Sequence, residues 1–356
     1  MVSDPNNGIR RDRPTIVDVA HRAGVSKSLV SLVLRGQSGA SPENRAAVLK
    51  AVDELGYRAN GAARSLAQQR THTIGAVVSD MRNPWFIDLL DTVRFELAER
   101  GLNLFLSEDY ELATNGSVLD AFVEARVDGL LCLGTLPQSG HLNATAEVLP
   151  TVVAAGREPD LANVDIVSGD DLAGAASAVD HLVTLGHQHI AHLAGTGRAA
   201  DLRVDGYRRR MSELGFEDGI QVAISDRSET GDRAAANRLL DAATPPSAII
   251  ANNDYAALIV MSCARERGLA VPDDLSVIGY DNTSFARLGY IGLTTVDNNY
   301  AQLGKLAVER LVTRIAEPNV PRTVTLLDPT VIARRTTAAP GARDRTPDAL
   351  APPHPR

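Results

Sequence analysis

Polar side chains follow several short apolar runs in the body of the chain, and an arginine opens a predicted helix. The set is Asp80, Asn83, Arg157, Arg203, Asn253, Asp254 and Asp281. A guanidinium that donates paired hydrogen bonds, together with carboxyl and amide groups, suits the vicinal hydroxyls of a sugar. Trp85 and Phe86 lie beside Asn83 in the sequence, and an aromatic face would stack on the sugar ring. Each residue alone would also suit a strand-end cap, but the set together favours a ligand site.

A second polar group lies near the start of a short helix predicted from Lys27 to about Leu34. The group consists of Lys27, Ser28 and Ser31. In a helix-turn-helix unit, the early residues of the second helix reach base edges in the major groove of DNA. The alternative is three small helices that close a core without any nucleic acid.

Short helices on either side would position this group. Ile16, Val17, Val19 and Ala20 begin an amphipathic helix, and Gly24 suits the tight turn after it. Ser26 is a good N-cap for the second helix. A third helix is predicted to begin at Ser41-Pro42-Glu43 and to end at Gly56.

Charge separates this first part of the chain from the rest. Residues 1–70 contain 11 Lys or Arg against 6 Asp or Glu, a balance of +5, whereas the whole chain has 36 against 44. Residues 71–356 therefore carry a net charge of −13. A basic segment joined to an acidic body favours contact between that segment and phosphates.

The sequences TIVDVAHRAGVSKSLVSLVLRG and VLKAVDELGYRANGAARSLAQQRTHTIG resemble the amino-terminal signature of LacI/GalR-type bacterial transcription regulators. The resemblance extends to about Arg335 and implies a DNA-binding head, a hinge helix and a sugar-binding-protein-like body. It assigns base reading mainly to Lys27 and Ser28, and it implies that the hinge leucine, Leu66, wedges between base pairs from the minor groove. The residues expected at the DNA are Thr15, Ser26, Lys27, Ser28, Ser31, Arg35, Asn60, Arg64, Ser65 and Leu66.

Several positions depart from the family pattern. Leu29 replaces a frequent Thr, and Leu32 replaces an Arg that reads guanine in many members. Loss of a bidentate Arg removes roughly 1–3 kcal/mol of base discrimination, so we expect a different operator base there. Ala59 and Gly61 replace the usual Pro and Ala before the hinge, and Gly costs about 1 kcal/mol of helix propensity. We therefore expect a hinge helix that folds only on DNA.

From Thr73 onward, short apolar runs alternate with helical patterns, which favours parallel sheets covered on both faces. The expected fold class is an N-terminal all-α helix-turn-helix domain followed by an α/β, periplasmic-binding-protein-like effector domain. That domain has two doubly wound parallel-sheet lobes. The expected boundaries are a disordered tail (1–13), the DNA-binding domain (14–59), the hinge helix (60–70), the effector and dimerisation domain (71–337), and a disordered tail (338–356). Lobe one spans about 71–167 and 300–327, and lobe two about 168–299 and 328–337.

The resemblance also implies a role for several body residues. NPWF matches the ligand-side motif after the first strand, and Arg203 matches the Arg that precedes a Gly-Tyr pair. Asn253, Asp254 and Asp281 match further effector positions. Arg227 stands near the position where several members have a stacking aromatic residue, and Ala155 where some have Asp. A charged or unusually polar effector, such as an acidic sugar or a phosphosugar, is therefore one hypothesis.

Rival readings rest on weaker patterns. GTGRAA, from Gly195 to Ala200, fits a dinucleotide-binding fingerprint with Asp218 downstream, but it lies in mid-chain. Four histidines, His181, His187, His189 and His192, would not converge on a metal by spacing alone. Cys132 and Cys263 suit buried filler, and no nucleophile motif is visible. A transport protein would fit the body, but neither the basic head nor the lack of a signal peptide fits it.

The sequence therefore predicts a cytoplasmic regulator with no enzymatic activity, no cofactor, no metal and no membrane span. We expect a homodimer that binds a palindromic double-stranded operator, because paired heads match a two-fold site. The lack of an added leucine-heptad tail favours a dimer over a tetramer. We expect repression, controlled by a sugar or sugar derivative in the cleft between the lobes.

Overall fold

The computed structural model describes residues 14–34, 36–57, 70–81, 83–108, 118–134, 139–157 and 163–341, with backbone alone for 139–141. The chain divides into two compact units, Met1–Thr71 and His72–Arg356, which we call the head and the body. Among the helices of these ranges, none is long and apolar enough to cross a membrane.

The head contains three helices, α1 (Ile16–Ala23), α2 (Lys27–Leu34) and α3 (Pro42–Leu55). Their core buries one face of each helix: Val19, Ala20, Val30, Val33, Val48 and Ala51. Thr15 begins α1 with a capping box, in which its backbone N–H donates to the Asp18 carboxylate at 2.7 Å. Gly24 ends α1 at φ 66°, a conformation that glycine adopts without a Cβ clash. The predicted helix-turn-helix is confirmed.

Lobe one of the body is a six-stranded sheet covered by helices on both faces. Its elements are β1 (Thr73–Val78), α4 (Pro84–Glu99), β2 (Asn103–Glu108), α5 (Val118–Glu124), β3 (Gly129–Leu133), α6 (Ser139–Val148), β4 (Thr151–Ala154), β5 (Asp165–Gly169), α11 (Tyr300–Ala316) and β11 (Val324–Leu327). The strand order is β11-β5-β4-β3-β1-β2, and every neighbouring pair is parallel. β3 and β4 are buried along their whole length, which explains their uninterrupted apolar sequences.

Lobe two repeats the arrangement with a second six-stranded sheet, ordered β12-β10-β9-β8-β6-β7. Its elements are α7 (Asp171–Thr184), β6 (Ile190–Ala194), α8 (Arg198–Glu213), a 3-10 turn (Glu217–Gly219), β7 (Gln221–Ile224), α9 (Glu229–Leu240), β8 (Ala248–Ala251), α10 (Asp254–Glu266), β9 (Ser276–Tyr280), β10 (Thr294–Asp297) and β12 (Thr330–Ile332). The prediction was a parallel sheet in each lobe. In the second sheet the edge strand β12 runs antiparallel to β10, so this sheet is parallel except at that edge.

Helices α7 and α8 pack closely because Gly206 lies at their crossing. A Cβ at position 206 would meet the backbone carbonyl oxygen of Leu172 at 2.4 Å, which is far inside van der Waals contact. Tyr207 follows this glycine and is fully buried, and its hydroxyl donates to the Ile190 carbonyl at 2.5 Å. The Gly-Tyr pair therefore fixes α8 both to α7 and to the sheet.

The chain passes between the lobes three times, after β5, after β10 and after β11. These passages lie side by side: the Asp170 amide donates to the Leu327 carbonyl at 3.1 Å, and Gly169 packs against Asn298. Ser168 and Gly169 still pair with β11 in lobe one, so the first passage comes two residues later than the predicted boundary at 167.

Three elements have weak sequence signals and were not predicted: β5, β10 and α6. β5 and β10 are short and carry Asp, Ser or Thr, whereas α6 contains Ser, Gly, Asn and Thr, which are modest helix formers. At the other end of the body, Ala338 lies one residue beyond the predicted domain boundary. Its amide donates to Ser276 Oγ at 3.0 Å, and its carbonyl accepts from His187 Nε2 at 2.8 Å.

Candidate DNA-reading helix and ligand cleft

The start of α2 presents polar side chains to solvent. Ser26 caps the helix, since its Oγ accepts the Leu29 amide at 3.2 Å, and Lys27 and Ser28 are exposed beside it. Ser31 lies one turn later and is half-buried. This is the arrangement that a base-reading helix requires, with polar ends outward and Val30 in the core behind them.

Leu29 and Leu32, the two departures on this helix, are both half-buried. The Leu32 methyls lie against Gly39, where a Cβ would meet Leu32 Cδ1 at 3.4 Å. Leu32 therefore packs on the segment that joins α2 to α3. Five residues expected at the DNA lie outside the described ranges, so these predictions stay predictions: Arg35, Asn60, Arg64, Ser65 and Leu66.

In the body, one buried carboxylate holds two arginines. Asp171, the first residue of α7, accepts from Arg157 Nε at 2.6 Å and from Arg203 Nε at 2.8 Å. The Asp171 side chain is 1% exposed and each arginine 9%. Burial acts to raise the pKa of Asp171, but the Arg203 and Arg157 charges outweigh it and hold that pKa below its ordinary value. Sequence reasoning missed Asp171 because both of its partners lie distant in the chain.

Arg203 lies inside α8 and not at its start, contrary to the prediction. Its Nη1 donates to the Asn252 carbonyl at 2.5 Å, and its guanidinium carbon lies 3.6 Å from the centroid of the Tyr280 ring. Although burial acts to lower the pKa of Arg203, the Asp171 charge raises it, so the side chain stays charged. Its Nη2 lies 3.8 Å from Asp281 Oδ1, which brings a second carboxyl into the cluster.

Asp281 joins the two lobes across the cleft. Its Oδ2 accepts from Asn83 Nδ2 of lobe one at 3.1 Å, and its Oδ1 accepts from Asn298 Nδ2 at 3.3 Å. Asn83 also caps α4 through the Trp85 amide, at 3.1 Å. Burial raises the pKa of Asp281 to about 6, although the Arg203 charge and the Asn83 hydrogen bond oppose the shift. The backbone of Asp281 has φ 106°, a strained conformation of the kind found at binding sites.

The side-chain hydrogen bonds of Asn253 and Asp254 go to residues outside the arginine cluster. Asn253 caps α10, since its Oδ1 accepts the Ala256 amide at 2.8 Å. Asp254 accepts from the Thr295 hydroxyl at 2.5 Å and from both the amide and the hydroxyl of Thr283. Burial and the Asp281 charge raise the pKa of Asp254 to about 7. Asp254 thus ties the segment after Asp281 to β10.

Two aromatic residues predicted to face the ligand lie mostly in the core of lobe one. Trp85 is 4% exposed and packs edge-on to Phe86, with ring centroids 5.1 Å apart. Phe86 is half-buried and lies against Gly134. Asp80 follows β1 and is half-buried, whereas Arg227 is exposed after β7 with φ 67°. In this arrangement of the lobes, the exposed surface of Trp85 is too small to form a stacking face for a ligand.

Several buried polar atoms in the described part of the body have no hydrogen-bond partner, and two of them belong to asparagines that contact this cluster. Within the described ranges, Asn252 Oδ1, Asn298 Oδ1 and Ser168 Oγ are buried and unpartnered. Asn252 also accepts from Arg203 through its backbone, and Asn298 donates to Asp281. A buried acceptor without a donor is costly, so these amides call for a ligand or water that can donate. No sequence pattern indicated them.

The histidines do not form a metal centre. His181 contacts Thr337, His187 contacts Ser247 and Ser276, and His192 donates to the Ile250 carbonyl. In the part of the chain that the structure describes, no group of three His, Cys, Asp or Glu residues could hold a metal ion. Cys132 and Cys263 are both buried, as expected of filler.

Comparison with known families agrees with both units. Residues 15–60 match the family described as bacterial regulatory proteins, lacI family, and residues 179–337 match the periplasmic binding protein-like domain. A helix-turn-helix joined to a two-lobed binding domain defines a ligand-controlled class of DNA-binding regulators. The crystal structure of the lac repressor dimer bound to operator and an anti-inducer has a TM-score of 0.82 and 27% identity, and the match covers 92% of this chain and 100% of that one.

Curated relatives identify the family. The transcriptional repressor PurR of Pasteurella multocida (strain Pm70) is 33% identical over 329 residues, covering 90% of this chain and 98% of the relative. The ribose operon repressor of Escherichia coli (strain K12) is 34% identical over 328 residues, with the same two coverages. The chain belongs to the LacI family of bacterial transcription regulators, and the prediction of a regulator rather than an enzyme is confirmed.

Proposed function

We propose that the protein is a cytoplasmic, dimeric repressor that binds a palindromic operator and is controlled by a neutral, hydroxyl-rich ligand such as a sugar. The observation that carries the choice of ligand is the charge balance of the cleft cluster. The charges of Arg157 and Arg203 are matched by Asp171 and Asp281, while Asn252 and Asn298 keep buried acceptors unpartnered. A ligand that donates hydrogen bonds fits this set.

An acidic ligand fits less well than the sequence suggested. A phosphate or carboxylate group would have to displace Asp171 or Asp281 from their arginines, and the anionic group itself would bring no donor for the two amides. Arg227, on which the acidic hypothesis partly rested, is exposed after β7, and its amide donates to Ser225 Oγ at 3.0 Å. One relative is a ribose operon repressor, which supports a sugar as the class of ligand.

The dimer is supported by exposed apolar side chains of lobe two. Leu288 and Tyr290 are 52% and 92% exposed, and Phe285 and Tyr255 are also partly exposed. Large apolar side chains that are exposed to this extent favour a protein interface. A second copy of the chain is the occupant that a palindromic operator requires, and the structural relative is itself a dimer on its operator.

Titration calorimetry and gel shift test the two halves of this proposal. We expect neutral aldoses such as D-ribose to bind at least tenfold more tightly than their phosphates or the corresponding acids. We expect binding to the promoter beside the protein's own gene to weaken steeply with salt, because counterions are released from the phosphates. Tighter binding of a phosphosugar would overturn the choice of ligand, and salt-independent or sequence-independent DNA binding would overturn the operator function.

A further inference from the structure

Arg287 reaches from lobe two to two helices of lobe one. It lies in the segment between Thr283 and Leu293, and Ala286 beside it belongs to the core of lobe two. Its Nη2 lies 3.3 Å from Asp88 Oδ2 on α4, and its guanidinium lies 5.9 Å from the centroid of the Tyr300 ring on α11. This side chain therefore crosses the cleft at a place outside the Asp171 cluster.

On its own lobe, Arg287 is tied to the segment that carries Asp281. Its Nη1 donates to the Asn282 carbonyl at 2.7 Å. The Asn282 side chain is held by two further hydrogen bonds. Its Nδ2 donates to Asp297 Oδ2 at 2.9 Å, and its Oδ1 accepts from Arg334 Nη2 at 2.7 Å. A movement of Asp281 and Asn282 would therefore change the position from which Arg287 reaches Asp88.

We propose that Arg287 is a positioning residue, an interlobe latch whose pair with Asp88 favours the closed arrangement of the two lobes. A contact made in one arrangement and lost in another shifts the balance between them by its differential free energy. The Arg287 side chain is 40% exposed and that of Asp88 19%, so solvent screens the pair. The expected effect of its loss is roughly a two- to fivefold change in the ratio of closed to open molecules.

The step from lobe closure to operator control rests on the proposed function, but lobe closure itself does not. Amide hydrogen exchange on the full-length protein, without DNA or sugar, therefore tests the latch separately. We expect Arg287→Gln and Asp88→Asn each to speed exchange at residues 83–88 and 281–287 by roughly two- to fivefold. Exchange in the buried strands β3 and β8 should stay unchanged.

A double variant and a matched control complete the test. If the two side chains act as a pair, Asp88→Asn with Arg287→Gln speeds exchange no further than either single change. Arg267→Gln, which removes an ion pair of 2.7 Å to Asp241 within lobe two, should leave cleft exchange as it is. Three outcomes would each overturn the latch. They are unchanged cleft exchange in Arg287→Gln, multiplied effects in the double variant, and an equal change in Arg267→Gln.

Discussion

At the scale of single residues, the body depends on a shared buried carboxylate. Asp171 is nearly inaccessible, and each of its oxygens accepts from a different arginine, one at the end of β4 and one in α8. Two cations beside one anion would be unfavourable in a low dielectric without the further hydrogen bonds and the Tyr280 ring around Arg203. The position of Arg203 in the cleft is therefore set by Asp171 and not by Arg203 alone.

Asp171→Asn should strongly destabilise the body, because it leaves two buried guanidinium groups without their shared charge. We expect a loss of about 3–5 kcal/mol in the free energy of unfolding, measured by urea denaturation. Asp241→Asn, which breaks the exposed pair with Arg267, serves as the control and should leave the urea midpoint nearly unchanged. Equal midpoints for the two variants would contradict the role given to Asp171.

His192 makes the body sensitive to acid. The residue is buried under Tyr207, and burial lowers its pKa to about 4, although the Ile250 carbonyl that accepts from it opposes the shift. Because the folded-state pKa lies below the unfolded value, the neutral imidazole contributes stability above pH 6.5 that is lost as the pH falls from 6.5 toward 4.

The stability lost through His192 should amount to roughly 1.4 kcal/mol per pH unit within that window. His192→Gln should therefore flatten the dependence of unfolding free energy on pH, relative to the natural chain, in urea titrations at pH 4.5 to 7. His189→Gln, at an exposed position three residues earlier, is the matched control. An identical pH slope in the natural chain and in His192→Gln would refute the assignment.

At the scale of elements, the contact between α7 and α8 leaves no room for a side chain. Gly206→Ala would place a methyl group 2.4 Å from the Leu172 carbonyl oxygen, which belongs to backbone and cannot swing away. The helices must separate, at a cost of about 1–3 kcal/mol in unfolding free energy, measured by thermal or urea unfolding. Gly289→Ala, where a Cβ meets nothing within 4 Å, should be close to neutral; equal losses for both would show that the crossing is not tight.

Other elements of the body show which parts of the fold the sequence could predict. The apolar run GLLCLG is a local signal for β3, and the helical pattern after Tyr255 is one for α10, because burial leaves its mark on neighbouring residues. β5 and β10 lacked that signal, since Asp165 and Thr294 are buried through contacts distant in sequence: Asp165 accepts from Arg314 at 2.7 Å, and the Thr294 amide donates to Thr336. Asp171 was missed for the same reason, because its partners lie 14 and 32 residues away.

At the scale of the whole molecule, the head and the body are separate compact units with separate cores. We therefore expect each unit to fold on its own. The basic balance lies in the first 70 residues, so DNA affinity and ligand affinity should separate when the chain is cut between the units.

Deleting residues 1–71 should abolish DNA binding while sugar binding by the body stays within about twofold, since no cleft contact described above involves the head. Gel shift and titration calorimetry on the truncated and full-length proteins measure the two effects. Lys27→Gln in the full chain, at an exposed residue of α2, should weaken DNA binding and leave sugar affinity unchanged. A truncated body that still retards DNA would show that the basic head is not the reader.

The three neighbouring strand passages between the lobes have a mechanical consequence. The Asp170 amide is hydrogen-bonded to the Leu327 carbonyl, and Gly169 lies against Asn298. All three connections are therefore confined to the β5 and β11 side of the body. One lobe can then rotate about this line as about a hinge axis, with little sliding of one lobe over the other. Small changes in the backbone torsions of the connecting residues cause displacements that increase with distance from this axis. The edge strands β2 and β7 therefore move farthest.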